Sequence, residues 1–131
     1  MEYLLDTHVL LWVIFDSDKL SPLAQKIILD KNAYKFVSVS SLWEISIKNR
    51  IGKLPLSNDL SGVFTEVEMN GFGIVGINQG CLENYNKLPL LHRDPFDGII
   101  VATALLQKMT IITADENIQK YDDGYCQVGN W

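Results

Sequence analysis

Four short apolar segments, each followed by a helical one, constrain this chain more than any other feature. Residues 2–6 (EYLLD), 35–39 (KFVSV), 72–77 (FGIVGI) and 109–113 (MTIIT) have the length and apolar content of buried strands. Helices are predicted over 7–15, from Ser21-Pro22 to about 31, and from Ser40 or Ser41 to about 51, where Gly52 stops the run. Others are predicted over 59–70, over 78–87, from Asp94-Pro95 through 108, and briefly after Asp115; the tail shows only weak strand signals at 126–128. Such alternation implies an α/β chain with a mostly parallel central sheet of four to five strands, covered by helices on both faces in three layers. With 131 residues and no repeat, low-complexity tract or linker, a single domain over 1–131 is expected.

That topology gives meaning to five acids placed where one element passes into the next. They are Asp6 (YLLDTH), Glu44 (SSLWEIS), Asp94 and Asp97 (HRDPFDG) and Asp115 (TADEN). In a parallel sheet the strands share one C-terminal edge, where ligands of open α/β folds bind. Acids distant in sequence therefore meet in space. Several ionised carboxylates close together repel one another unless a cation neutralises them, and a hard divalent cation prefers oxygen ligands. A metal-dependent hydrolase follows, with phosphodiesters as its expected substrate.

Taken alone, each acid also has a structural use. Ser41 and Glu44 match a capping box, and Glu44 stands four residues before Lys48 in the favourable ion-pair orientation. Asp94 precedes proline as a natural helix cap, Asp97 suits the positive end of that helix, and Asp6 and Asp115 are candidate caps. The joint arrangement is what favours a metal site. His8 and His92 are too few and too scattered for zinc, and no nucleotide-binding glycine loop or GxSxG elbow is present.

Net charge is −5, which on simple electrostatics disfavours nucleic acid. Bound divalent cations reverse the sign locally. The bases are also grouped, Lys48, Arg50 and Lys53 after Glu44 and Lys87, His92 and Arg93 before Asp94, so Lys48, Arg50 and Arg93 are candidates for holding a phosphate backbone. Cys81 and Cys126 fit neither zinc spacing nor a CxxC motif and are expected to be free thiols in a reducing cytoplasm. The run VLLWVIF lacks a preceding basic stretch and is too short to span a bilayer, so neither a secretory signal nor a membrane partner is expected.

Taken in order, LLDTHVLLW, SVSSLWEISIK, HRDPFDGIIVATA and TADEN resemble PIN-domain ribonucleases over nearly the whole chain, and most closely the VapC-type toxins of bacterial toxin–antitoxin pairs. The resemblance implies a PIN-like three-layer sandwich. It assigns Asp6, Glu44, Asp97 and Asp115 to the family's acidic quartet for Mg2+ or Mn2+, with Asp6 and Asp97 on the principal metal. Glu44 would support that metal or help activate water, and Asp115 would complete the site or help hold a second ion. Thr7 and Thr113 match hydroxyl positions that orient water or the neighbouring acids, and Asp94 belongs to the same motif as a cap rather than a ligand. The implied reaction is hydrolysis of an RNA phosphodiester by metal-activated water, leaving a 5′-phosphate.

Two partners are also implied. One is a cognate antitoxin whose C-terminal segment obstructs the acidic pocket, and the other is a second copy of the chain. Leu11, Trp12, Phe15 and Trp43 suit an interface or the core, with core the expectation for most of them. Gly98 departs from relatives that often carry arginine there. Two rival readings remain at this point. A non-catalytic PIN-like regulatory binding module would fail to bind metal, and a receiver-type signalling domain would need an adjacent acidic pair and a lysine that this chain does not place.

Overall fold

Leu4 and Leu5 are neighbours in sequence, yet they are buried in different halves of the molecule. Side chains on a strand alternate between the two faces of the sheet, so this pair requires an apolar layer on each side. The computed structural model describes residues 1–56, 59–89 and 94–122, together with the backbone of 127–128. Its elements are β1 (Glu2–Leu5), α1 (Thr7–Ile14), α2 (Pro22–Leu29), β2 (Tyr34–Ser38), α3 (Val39–Arg50) and α4 (Leu60–Met69). They continue with β3 (Gly73–Val75), α5 (Gln79–Lys87), α6 (Pro95–Gln107), β4 (Thr110–Ile112), α7 (Glu116–Gln119) and β5 (Gln127–Val128).

Among the described residues the sheet has five strands in the order β3-β2-β1-β4-β5, and every pairing is parallel. The α/β architecture read from the sequence is the observed one. One face packs Leu5, Val37 and Ile112 against Val9, Leu10, Ala24, Leu42, Ile45, Val63 and Val67 of α1 to α4. The other packs Leu4 and Ile111 against Ile100, Val101 and Ala104 of α6 and Ile118 of α7. A fully buried leucine or isoleucine contributes roughly 1.5–3 kcal/mol, so these two layers hold the sheet.

The strand order makes β1 the pivot. The chain moves outward from β1 through β2 to β3, then returns across β1 to β4. The C-terminal ends of β1 and β4 thus flank a topological switch point, where a crevice opens.

Several helix starts are those the sequence names. Ser21 caps α2 through its bond from Ala24 N, with Pro22 following, and Asp94 caps α6 through Phe96 N, with Pro95 following. Gly52 and Gly71 hold positive φ angles of 76° and 73° just beyond α3 and α4, a conformation that favours glycine.

Other boundaries differ. The α3 helix begins at Val39, not at Ser40 or Ser41, and its cap is Ser38, whose Oγ accepts from Ser40 N at 3.0 Å. Ser38 is the last extended residue because it still pairs with Val75 of β3, so the chain turns there. Ser41 consequently lies inside the helix, and the Ser41–Glu44 capping box does not form. The third strand is confined to Gly73–Val75, where pairing with β2 occurs. Leu11 is buried as expected, but Phe15 is 48% and Trp43 60% exposed, so neither is core. Cys81 is a buried free thiol, while Cys126 lies outside the described residues.

Candidate metal centre

Parallel pairing in the register Leu5↔Ile112 makes β1 and β4 end side by side. Asp6 and Thr113 therefore leave the sheet as neighbours, and Asp6 N donates to Ile112 O. Asp6 is 3% exposed. An unpartnered buried carboxylate costs several kcal/mol, and here each oxygen has a donor. Val9 N donates to Oδ1 at 2.7 Å as the cap of α1, and the Thr113 hydroxyl donates to Oδ2. Burial pushes the Asp6 carboxyl above its ordinary range; the bonds from Thr113 and Val9 and the charge of His8 oppose that shift, and Asp115 adds to it.

Thr113 ties in another acid. Its Oγ1 accepts from Asp115 N at 2.9 Å, and Asp115 in turn caps α7 by accepting from Asn117 N at 2.8 Å. Asp115 is thereby held beside Asp6 at the β4 end.

Glu44 arrives from α3 on the neighbouring side and is 7% exposed. The Thr7 hydroxyl, at the start of α1, lies 2.7 Å from Glu44 Oε1 and 2.9 Å from Ser41 Oγ. Its single proton goes to the carboxylate in preference, because charge-assisted bonds are the stronger. Glu44 Oε2 pairs with Lys48 at 3.0 Å. The i,i+4 ion pair read from the sequence is present, and it engages one of the bases nominated for phosphate.

Asp97 sits in the first turn of α6, three residues after its cap. Its carboxyl is pushed up to about 8, first by burial and then by the negative charges of Asp94, Asp115, Glu44 and Asp6. The other four sequence-nominated acids thus all lie within electrostatic reach of Asp97. At neutral pH the Asp97 carboxyl is mostly protonated in the protein alone, and a nearby cation would draw that proton off.

The donor set is carboxylate oxygen flanked by threonine hydroxyls, which suits a hard divalent cation such as Mg2+ or Mn2+ and not a soft one. The mutual repulsion centred on Asp97 is what a cation would relieve. Among the described residues no three acidic, imidazole or thiol side chains already stand as a ligating group.

Not every nominated residue joins the cluster. Arg50 is exposed at the end of α3, and Arg93 and His92 lie outside the described residues. The structure adds residues that the sequence reading passed over. Ser41 sits beside Thr7 and Glu44, and a cavity of about 270 Å3 is walled by Asp6, His8, Trp12, Ala114 and Asp115. The spacing of His8 and Trp12, four apart on a helix that starts at an acid, is the signal that could have found the wall. A larger cavity of about 640 Å3 lies at the opposite strand ends, around Tyr34, Lys35, Met69 and Gly73, and none of the five acids lines it.

Comparison with known proteins supplies independent findings. The family described as PIN domain matches residues 3–124. No protein matches in the curated sequence comparison. Among solved structures, VapBC2 from Rickettsia felis bound to a DNA fragment from its promoter superposes with TM-score 0.74 at 18% identity, covering 100% of this chain and 99% of that one. VapBC-1 from nontypeable Haemophilus influenzae gives 0.69 at 20% identity, with 100% and 98% covered. DNA-bound VapBC from Salmonella typhimurium gives 0.69 at 12% identity, with 98% and 97% covered. At such identities the likeness is one of fold.

Proposed function

From the chain's membership of the PIN-domain family, we propose that it is a metal-dependent endoribonuclease, the toxin of a type II toxin–antitoxin pair. The observation that carries this reading is the convergence of Asp94, Asp115, Glu44 and Asp6 on the raised carboxyl of Asp97 at the switch-point edge of the sheet. Asp6, Glu44, Asp97 and Asp115 are the residues that would hold Mg2+ or Mn2+. A divalent cation, when bound, lowers the pKa of water and stabilises charge that develops on phosphodiester oxygens.

The chain's own residues prepare the site. Thr113 and Val9 N fix the two oxygens of Asp6, so its carboxylate is preorganised before any cation arrives. Thr7 orients Glu44 through Oε1, and Lys48 holds Oε2. Asp94 spends Oδ1 on the cap of α6 and so positions Asp97 without needing to bind the ion. Lys48, Arg50 and Arg93 are the proposed contacts to the RNA backbone.

Residues 1–131 are proposed to work as a single domain in the cytoplasm, as a homodimer, and under control of a cognate antitoxin. The structures of VapBC complexes from Rickettsia felis and Haemophilus influenzae support this pairing.

The test is incubation of a total small-RNA pool with the protein, with and without Mg2+, followed by mapping of the cut ends. Discrete cuts bearing 5′-phosphates, dependent on metal and absent with Asp97→Asn, are expected. Metal titration without binding at millimolar concentration would instead leave a non-catalytic PIN-like binding module.

A further inference from the structure

The cavity of about 270 Å3 beside the acids has two kinds of wall. Asp6 and Asp115 form one side and belong to the proposed centre, while His8, Trp12 and Ala114 form the rest. His8 and Trp12 are one helical turn apart on α1, so both rings leave the same face. Their centroids stand 6.4 Å apart with planes inclined at 44°. His8 is exposed, whereas Trp12 is half-buried and packs against the core. That packing holds an indole at the wall with little freedom left to lose on binding.

Size, chemistry and connectivity narrow the occupant. The volume falls just short of the roughly 300 Å3 at which pockets for drug-sized ligands begin, so it suits a single ring system. Aromatic walls stack on a planar ring, and every nucleobase offers one. Because Asp6 and Asp115 are shared with the acidic centre, a phosphate that a divalent cation would hold there carries its own sugar and base to this opening. A base inside a duplex has both faces covered, whereas an unpaired base has a face to offer.

We propose that this cavity is a nucleobase subsite, in which Trp12, flanked by His8, stacks on an unpaired base adjoining the phosphate bound at the acids. The proposal rests on the nuclease reading and deepens it: Trp12 and His8 are specificity-determining residues, and the substrate is RNA with a splayed base at the cut.

The test separates binding from cleavage. A fluorescent single-stranded oligoribonucleotide, made uncleavable by replacing each bridging 3′ oxygen with a methylene group, is titrated by anisotropy in Mg2+ against wild type, His8→Ala, Trp12→Leu and Trp12→Phe. A matched series carries one abasic nucleotide at each position in turn. One abasic position is expected to raise the wild-type Kd roughly 5- to 150-fold, the range for loss of one stacked base. Trp12→Leu should raise Kd for the intact strand similarly, with no further loss on the abasic strand, and Trp12→Phe should retain most of the affinity.

Equal binding of intact and abasic strands by wild type overturns the proposal whether or not any variant folds. So does a Trp12→Leu loss that is the same on both strands, or an effect of Trp12 confined to association with a protein partner. Cleavage of the unmodified strand is read separately. Its absence alongside an abasic-sensitive Kd would remove the nuclease reading and leave the base subsite standing.

Discussion

The Thr113 hydroxyl donates to the buried carboxylate of Asp6 across 107 positions of sequence. This bond joins the ends of β1 and β4, and the same oxygen accepts from Asp115 N. Thr113→Val preserves shape while removing the donor from a buried acid. A hydrogen bond to a charged group contributes about 1.5–3 kcal/mol, so the unfolding free energy in urea is expected to fall by roughly that amount. An unchanged denaturation midpoint would mean that Asp6 does not depend on this bond.

Asp97→Asn separates stability from activity. Asp97 carries a carboxyl pushed up to about 8 by burial and by four acidic neighbours, so its ionised form opposes folding in the absence of a cation. A neutral amide of the same shape should leave the melting temperature of the metal-free protein unchanged or higher. Metal-dependent RNA cleavage should be lost, and the rise in melting temperature on adding Mg2+ should shrink. A variant that cleaves like wild type, with contaminating nuclease excluded, would remove Asp97 from the site.

The same shift predicts how metal-free stability varies with pH. Asp97 has a folded-state pKa of about 8 against an ordinary value of 3.8, so between these limits the folded chain binds more protons than the unfolded one. Unfolding free energy therefore falls as pH rises through that window, and the loss is complete above it. Asp6, also raised, acts with the same sign. Asp59 is lowered by its bonds from Ser61 and acts oppositely, but its stabilisation is lost only as pH falls below the ordinary carboxylate range. Chemical denaturation in a chelator should show lower stability at about pH 9 than at about pH 5, and saturating Mg2+ should flatten the difference. Equal slopes with and without Mg2+ would contradict the proposed ligand set.

Gly98 gives a prediction with a change of sign. A Cβ there would stand 2.5 Å from Cε1 and 3.0 Å from Cδ1 of Tyr85, so the ring must move to admit any side chain. Gly98→Ala is expected to destabilise the protein, because forcing the Tyr85 ring off this contact outweighs the roughly 1 kcal/mol that alanine gains within a helix. In a Tyr85→Ala background the clash is gone, and Gly98→Ala should stabilise by about 1 kcal/mol. Thermal melts of the four proteins in this cycle read the sign directly.

Which of these features were legible beforehand depends on how far each one's causes lie along the chain. The caps at Ser21 and Asp94 were readable because a cap acts on backbone two or three residues away. The Glu44–Lys48 pair was readable for the same reason. The start of α3 was not, because Ser38 stays extended by pairing with Val75, and local sequence contains no sign of that partner. Trp43 suited either the core or an interface on hydrophobicity alone, and α3 turns it outward, where it meets Phe96 of α6 edge-on at 5.5 Å.

The sequence by itself determined the alternation of strands and helices, the faces that Leu4 and Leu5 take, and the placing of an acid where β1 gives way to α1 and β4 to α7. These follow from side-chain periodicity and capping, whose reach is a few residues. Only the tertiary structure decided that β4 lies against β1 rather than beside β3, and so that Thr113 and Asp115 join Asp6. Strand order is settled by which apolar faces can be covered at once, a choice made by the whole chain and written in no single segment of it.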